Sequence, residues 1–234
     1  MIPIQPLFIF GDSVIKGVMH AEGKYKLCND HDFASLRDAD FAAHNFSKMG
    51  ATVRTGLDIL RRKLPDACEE GTIVLLSFGG NDCDYDWERV AAAPEGEHHP
   101  HLPPEQFVSL YRELIETARA RGAQVSVATT VPIDAERYME TISRGQNEEN
   151  ILKWLGDVYR LYRWQEYYNA LSSALAQSAG CPLLDVRSKF VQSVHFPALL
   201  SDDGIHPSAE GHALLHRTLA SLLAGLPDRT RPFG

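Results

Sequence analysis

Thr72-Ile73-Val74-Leu75-Leu76-Ser77-Phe78-Gly79-Gly80-Asn81-Asp82 is the stretch on which the fold turns. Apolar and β-branched residues run without interruption to a pair of glycines. Such a run, closed by a turn signal, reads as a strand buried on both faces. Four other runs read the same way: Leu7 to Phe10 before Gly11, Phe41 to Phe46, Gln124 to Val131 before Pro132, and Leu183 to Val186. Helical spacing fills the intervals. Thr55 to Leu64 carries Leu57, Leu60 and Leu64, and Pro65 stops it. Pro104 to Arg121 opens on proline, sets Phe107, Leu110, Leu114 and Ile115 on one side, and ends at Gly122. Glu148 to Ala179 is a long helical stretch with a break expected near Gly156, and Ser208 to Ala224 is the last. Strands alternating with helices predict a parallel sheet of about five strands covered on both faces. This is a three-layer α/β/α sandwich of the flavodoxin-like kind.

The bulk numbers agree with one domain spanning residues 1–234. The chain has 234 residues, 44% of them apolar, which is enough for one sizeable core. Its formal charge of −8 lacks the basic footprint that nucleic acid requires. Met1-Ile2-Pro3-Ile4-Gln5-Pro6 has neither a basic n-region nor a long apolar stretch, and no run approaches the length of a membrane span. The four cysteines, Cys28, Cys68, Cys83 and Cys181, form no CxxC pair. A cytoplasmic protein with reduced thiols is therefore expected. Oligomeric state is not legible. Two polar connections, near 84–103 and 132–150, are long for a compact domain. Both follow strand carboxyl ends, where open α/β sheets bind ligands.

Four blocks carry chemistry. Gly11-Asp12-Ser13 places a serine directly after a strand, with its hydroxyl at the carboxyl edge and a helix expected to follow. Capping that helix is the alternative role. Asp203-Gly204-Ile205-His206 can hold a carboxylate against one imidazole nitrogen and leave the other for a nucleophile, or can be a solvated turn before Pro207. Asn81, after two glycines, offers a side-chain amide to an oxyanion, although Gly, Asn and Asp are also plain turn residues. Gly50, in Asn45-Phe46-Ser47-Lys48-Met49-Gly50, could present its N–H to the same oxyanion.

The order of these blocks resembles the SGNH, or GDSL-type, serine hydrolases, from the first strand to the last helix. The family's GDS serine, oxyanion glycine, GxND asparagine and DxxH pair match Gly11-Asp12-Ser13, Gly50, Gly79-Gly80-Asn81-Asp82 and Asp203-Gly204-Ile205-His206. The resemblance implies Ser13, His206 and Asp203 as catalytic residues. It implies an oxyanion hole from Ser13, Gly50 and Asn81, a small-molecule ester substrate, and neither metal nor organic cofactor. Two features depart from the pattern: Val14 stands where many members have Leu, and Lys16 occupies a spot that is often small or apolar.

Further substrate contacts are expected from Asp12, Asp82, Asp134 and Arg137, although Asp134 and Arg137 can instead pair with each other. His98, His99 and His101 lie in a Pro-rich loop without a convincing ligand spacing, so no metal site is expected there. Cys83 reads as packing or cavity lining, and the aromatics from Trp154 to Tyr168 read as helix packing or pocket wall. Residues 132–168 are expected to wall the site, with Tyr138, Met139 and Ile142 limiting acyl length. The expected reaction is hydrolysis of esters of short acyl groups. Acyl transfer to an alcohol, carbohydrate O-deacetylation, lysophospholipid cleavage and thioester cleavage use the same triad and stay open. A non-catalytic phosphate-binding module is disfavoured, because the first loop lacks GxxxxGK[ST] and GxGxxG. The absence of GxSxG argues against the α/β-hydrolase fold.

Overall fold

The computed structural model describes residues 4–30, 33, 36 and 40–226. Residues 1–3 of the segment read for a leader, and residues 227–234 of the single-domain span, lie outside them.

Five parallel strands form the central sheet: β1 (Gln5–Gly11), β4 (Phe41–Asn45), β5 (Ile73–Ser77), β6 (Gln124–Ala128) and β7 (Leu183–Leu184). Their order is β4-β1-β5-β6-β7. Counting only these strands, the order is 2-1-3-4-5, the flavodoxin-like winding. Alternation along the strands divides the core into two layers. Phe10, Val74, Leu76, Val125 and Val127 face α1 (Val53–Lys63), α3 (Pro104–Ala120) and α6 (Arg160–Ser178). Leu7, Ile9, Ile73, Leu75 and Ala128 face α7 (Arg187–Val191) and α8 (Ala209–Ala224).

The helix signals act as expected. Thr52 caps α1 by accepting the Thr55 N–H. Pro104 starts α3, and Phe107, Tyr111, Leu114 and Ile115 bury one side of it. Gly156, at φ +81°, separates α5 (Glu148–Leu155) from α6. Ser208 caps α8, and Leu215, Leu219 and Leu223 bury its inner stripe. Truncating any of these three leucines to Ala would cost about 2–5 kcal/mol.

Four local outcomes differ from the sequence expectation. No helix follows Ser13: residues 13–17 make a turn, and then β2 (Val18–Ala21) and β3 (Lys24–Leu27) form an antiparallel hairpin. Glu22 (φ +55°) and Gly23 (φ +71°) make the tight link, a conformation suited to the twist of paired strands. The connection near 84–103 contains α2 (Trp87–Ala92), capped by Asp86. The connection near 132–150 contains α4 (Ala135–Ile142), capped by Asp134. Both helices are too short to show clear periodicity. They pack with α5 and the start of α6 in a small third apolar cluster above the carboxyl edge of the sheet. Strand β7 stops early because the Asp185 carboxylate caps the next turn through the Ser188 N–H, 3.0 Å away. Among the described residues no helix is long and apolar enough to cross a membrane.

Candidate active site

Ser13 leaves β1 through a turn that only glycine permits at its entry. A Cβ on residue 11 would lie 2.9 Å from Ser77 O and 3.0 Å from the Ile15 Cβ. The turn closes with Lys16 N–H to Asp12 O and Val18 N–H to Ser13 O.

The Asp203-His206 loop is held more tightly still. Leu200 and Pro207 bridge its ends, and the Ser201 N–H donates to His206 O at 2.8 Å. Asp203 Oδ1 accepts the N–H groups of Ile205 and His206. Gly204 has φ +76°, and a Cβ there would lie 2.7 Å from both Asp134 O and Tyr138 N. Helix α4 therefore locks the loop in place.

These two turns bring Ser13, His206 and Asp203 together. Asp203 Oδ2 lies 2.6 Å from His206 Nδ1, and His206 Nε2 lies 2.8 Å from Ser13 Oγ. A carboxylate only accepts, so Nδ1 carries the proton and Nε2 presents its lone pair to the serine hydroxyl. Burial opposes ionisation of Asp203, but the hydrogen bond and charge of His206 and two backbone N–H groups outweigh it. The carboxyl is held below its ordinary range. Tyr25 of the hairpin sets its ring edge against His206, with centroids 5.5 Å apart.

A cavity of about 90 Å³ opens over Ser13 and His206. Its floor is the sheet edge, through Asp12, Asn81 and Thr129 to Val131. Ile133, Tyr138, Trp154, Leu161 and Trp164 form much of its wall. The wall thus comes from the segment expected to supply it, although Met139 and Ile142 pack into the third apolar cluster instead. Trp87 and Arg160 also line the cavity and were not singled out from the sequence. Trp87 follows the Asn81 block closely enough to have been a signal. Arg160 reaches the cavity only because the chain breaks at Gly156, and its guanidinium lies 4.7 Å over the Trp154 ring.

Asn81 Nδ2 spends one hydrogen on Ala51 O at 3.3 Å, which leaves its second for a ligand. Gly50 is exposed at φ +72°, one residue before that carbonyl, and is not among the lining residues. Asp12 is at the cavity, but Asp82 is fully buried beneath it, where its Oδ1 accepts the N–H of Val53 at the start of α1. Asp134 and Arg137 lie away from the lining. Asp134 caps α4, and Arg137 pairs with it at 3.5 Å while donating to the carbonyls of Pro197 and Leu200. Pairing, the other reading of these two, is what their geometry shows. Lys16 Nζ lies 3.5 Å from Ser47 O, outside the lining. Cys83 lines the cavity with its thiol on Gly80 O at 3.2 Å, and burial pushes that thiol well up, away from the reactive thiolate. The histidines of the Pro-rich loop turn to separate partners: His98 to Ala93 O, His99 to Glu97 and His101 to Asn81 O.

The chain has relatives. The GDSL-like lipase/acylhydrolase family model matches residues 9–214. The chain belongs to that family. Membership makes it an esterase-type hydrolase, and the match runs from the strand before Ser13 into the last helix. The GDSL esterase/lipase CPRD49 of Arabidopsis thaliana is 22% identical over 218 residues, covering 91% of this chain and 77% of the plant protein. Among solved structures, a lipase/acylhydrolase from Enterococcus faecalis superposes with a TM-score of 0.64 at 17% identity, covering 98% of this chain and 99% of the other. An acetylxylan esterase from Geobacillus stearothermophilus gives 0.64 at 18% identity, with 97% of each chain covered. At such identities the structures attest the GDSL-family fold.

The buried carboxyls beside the site yield a pH prediction. Burial raises Asp12 to about 6, against the opposing Val14 N–H and the charge of His206. Burial also raises Asp82 to about 7, with the Asp12 charge adding to it and the Val53 N–H opposing. From about pH 4, the unfolded value, to about 7, these two carboxyls hold more protons in the folded chain than in the unfolded one. Stability from these groups therefore falls as pH rises through that window. Asp82→Asn keeps an acceptor for Val53 and removes one titration. Its Tm should gain on that of the wild type as pH rises through that window, because His212 and His216, lowered by burial, titrate alike in both proteins; a constant difference would show that Asp82 does not titrate there.

Proposed function

We propose that this protein is a serine esterase that removes short acyl groups through a covalent acyl-enzyme. One observation carries the reading: the Asp203–His206–Ser13 hydrogen-bond chain ends at a small, largely apolar cavity beside the Asn81 amide. In this reading His206 Nε2 takes the Ser13 proton as Oγ attacks the ester carbonyl. The oxyanion is held by the Ser13 N–H and Asn81 Nδ2. The imidazolium, stabilised by Asp203, returns its proton to the leaving alcohol. Water then repeats the attack on the acyl-enzyme, with His206 again as base, and releases the acid.

The wall of Ile133, Leu161 and Trp164 stands across the space a long chain would need, which favours acetyl to butyryl groups. Trp87 and Trp154 offer flat apolar faces to the alcohol part, and these suit a sugar as well as a simple alcohol. The acetylxylan esterase likeness supports including acetylated carbohydrates in the trial.

A panel of aryl esters from acetyl to octanoyl, with acetylated sugars alongside, tests the reading. kcat/KM should peak between acetyl and butyryl. Ile133→Ala and Leu161→Ala should shift the optimum to longer chains, since one methylene is worth about 1–3 kcal/mol in an apolar pocket. An octanoyl optimum in the wild type, or an unchanged chain-length profile in both folded variants, would refute the short-acyl assignment.

A further inference from the structure

We propose that Cys28, His212 and His216 form a metal site, suited to zinc, that ties the end of the β2–β3 hairpin to helix α8. All three side chains are buried, at 5%, 2% and 5% exposure. One ring nitrogen of each histidine and the Cys28 sulfur lie within 4.8 Å of one another. The histidines are four residues apart on α8, which places them on one face of the helix.

The hydrogen bonds decide which nitrogens are on offer. His212 Nε2 lies 2.9 Å from Val18 O. A carbonyl only accepts, so Nε2 carries the proton and Nδ1 of the neutral ring holds a lone pair. His216 Nδ1 lies 3.1 Å from Asp30 Oδ2, which by the same argument leaves the lone pair on Nε2. His212 Nδ1 and His216 Nε2 are both buried without a hydrogen-bond partner among the described residues. Two unsatisfied lone pairs in the interior are unfavourable, and a cation between them resolves both.

The surroundings are those that orient metal ligands: one imidazole donates to a carboxylate, the other to a backbone carbonyl. A thiolate with two imidazoles suits zinc and not the oxygen-seeking magnesium or calcium. Zinc bonds of about 2.3 Å to sulfur and about 2.0–2.1 Å to nitrogen put tetrahedral ligands roughly 3.3–3.6 Å apart. From a spacing within 4.8 Å, the side chains need to close in by no more than about 1.5 Å. The Phe33 ring, 4.3 Å from that of His216, packs beside the site. In the sequence the four-residue spacing of His212 and His216 was the one available signal, and Cys28, nearly two hundred residues earlier, joins them only in the fold. None of the three is part of the ester-cleaving site. The hairpin they anchor carries Tyr25 against His206.

Cobalt titration of the untagged, chelator-treated full-length protein tests the site. One equivalent should bind, with a thiolate-to-cobalt charge-transfer band, and one equivalent of zinc should displace it and raise Tm. Cys28→Ser should lose the band, and Cys68→Ser should keep it. Asp30→Asn should keep the band but bind about 10–100-fold more weakly. Ser13→Ala should bind as the wild type does, which separates this site from the esterase reading. His216→Ala should abolish stoichiometric binding. Should it not fold, Cys28→Ser and Asp30→Asn still decide. No charge-transfer band in the wild type, or an unaltered band and Tm shift in Cys28→Ser, overturns the proposal.

Discussion

Replacing Ser13 with Ala is expected to lower kcat toward ester substrates by about 10⁶-fold while the protein stays folded. Ser13 Oγ is the side-chain group that bonds to the acyl carbon in the proposed mechanism, before water replaces it. It sits in a turn whose backbone hydrogen bonds do not involve the hydroxyl. Removing the hydroxyl therefore takes away the nucleophile and leaves the scaffold. His206→Ala should cost nearly as much, because a serine without its base is no better than no serine. The two losses should not add, since nucleophile and base act as one unit. Asp203→Asn should cost about 10⁴-fold, through the wrong imidazole tautomer and an unstabilised imidazolium. An aryl or alkyl phosphonate should attach to Ser13 in the wild type, read by intact mass and peptide mapping, and to no residue in Ser13→Ala. Residual turnover within tenfold of the wild type in pure, folded Ser13→Ala would end the acyl-enzyme reading. It would not touch membership of the GDSL family.

Asn81→Ala should lower kcat by about 10²–10³-fold, equivalent to about 2.7–4 kcal/mol of transition-state stabilisation. KM should change much less, because the second Nδ2 hydrogen meets an oxygen that is fully charged only in the transition state. The variant also loses the bond to Ala51 O, so the loop carrying Gly50 is freed at the same time. Steady-state kinetics of Asn81→Ala beside Asn81→Asp separates these effects. The aspartate offers an acceptor where a donor is needed, and it should be at least as damaging. A loss confined to KM in both variants would move Asn81 from the oxyanion to ground-state binding.

Strands β1 and β5 were legible because apolar runs ending in glycine have few other readings in a chain of this composition. Helices α1, α3 and α8 were legible because caps, prolines and apolar spacing agree at both ends. The hairpin was not. Its two strands have four residues each, β3 is exposed along its whole length, and β2 buries only Val18 and the polar His20, too little to write an apolar alternation into the sequence. Helices α2 and α4 escaped for the related reason that six to eight residues hold barely two turns.

For the site, the sequence by itself determined the identity and order of the groups proposed to react. A GDS serine, a GxND asparagine and a DxxH pair are chemical roles bound to local turns, and each turn signal stands within a few residues of the group it presents. What the tertiary structure alone decided is which polar residues line the cavity and which hold the frame. Asp134 and Arg137 stand after a strand end as a substrate pair would, yet they cap α4 and clasp the loop before Asp203. Asp82 adjoins Asn81 and is buried beneath it on the start of α1. Arg160, Trp87 and the cluster of Cys28, His212 and His216 are brought to their places by segments far apart in the chain. Local spacing encodes a turn or a helix face. It does not encode which faces meet, because that follows from packing the whole core at once.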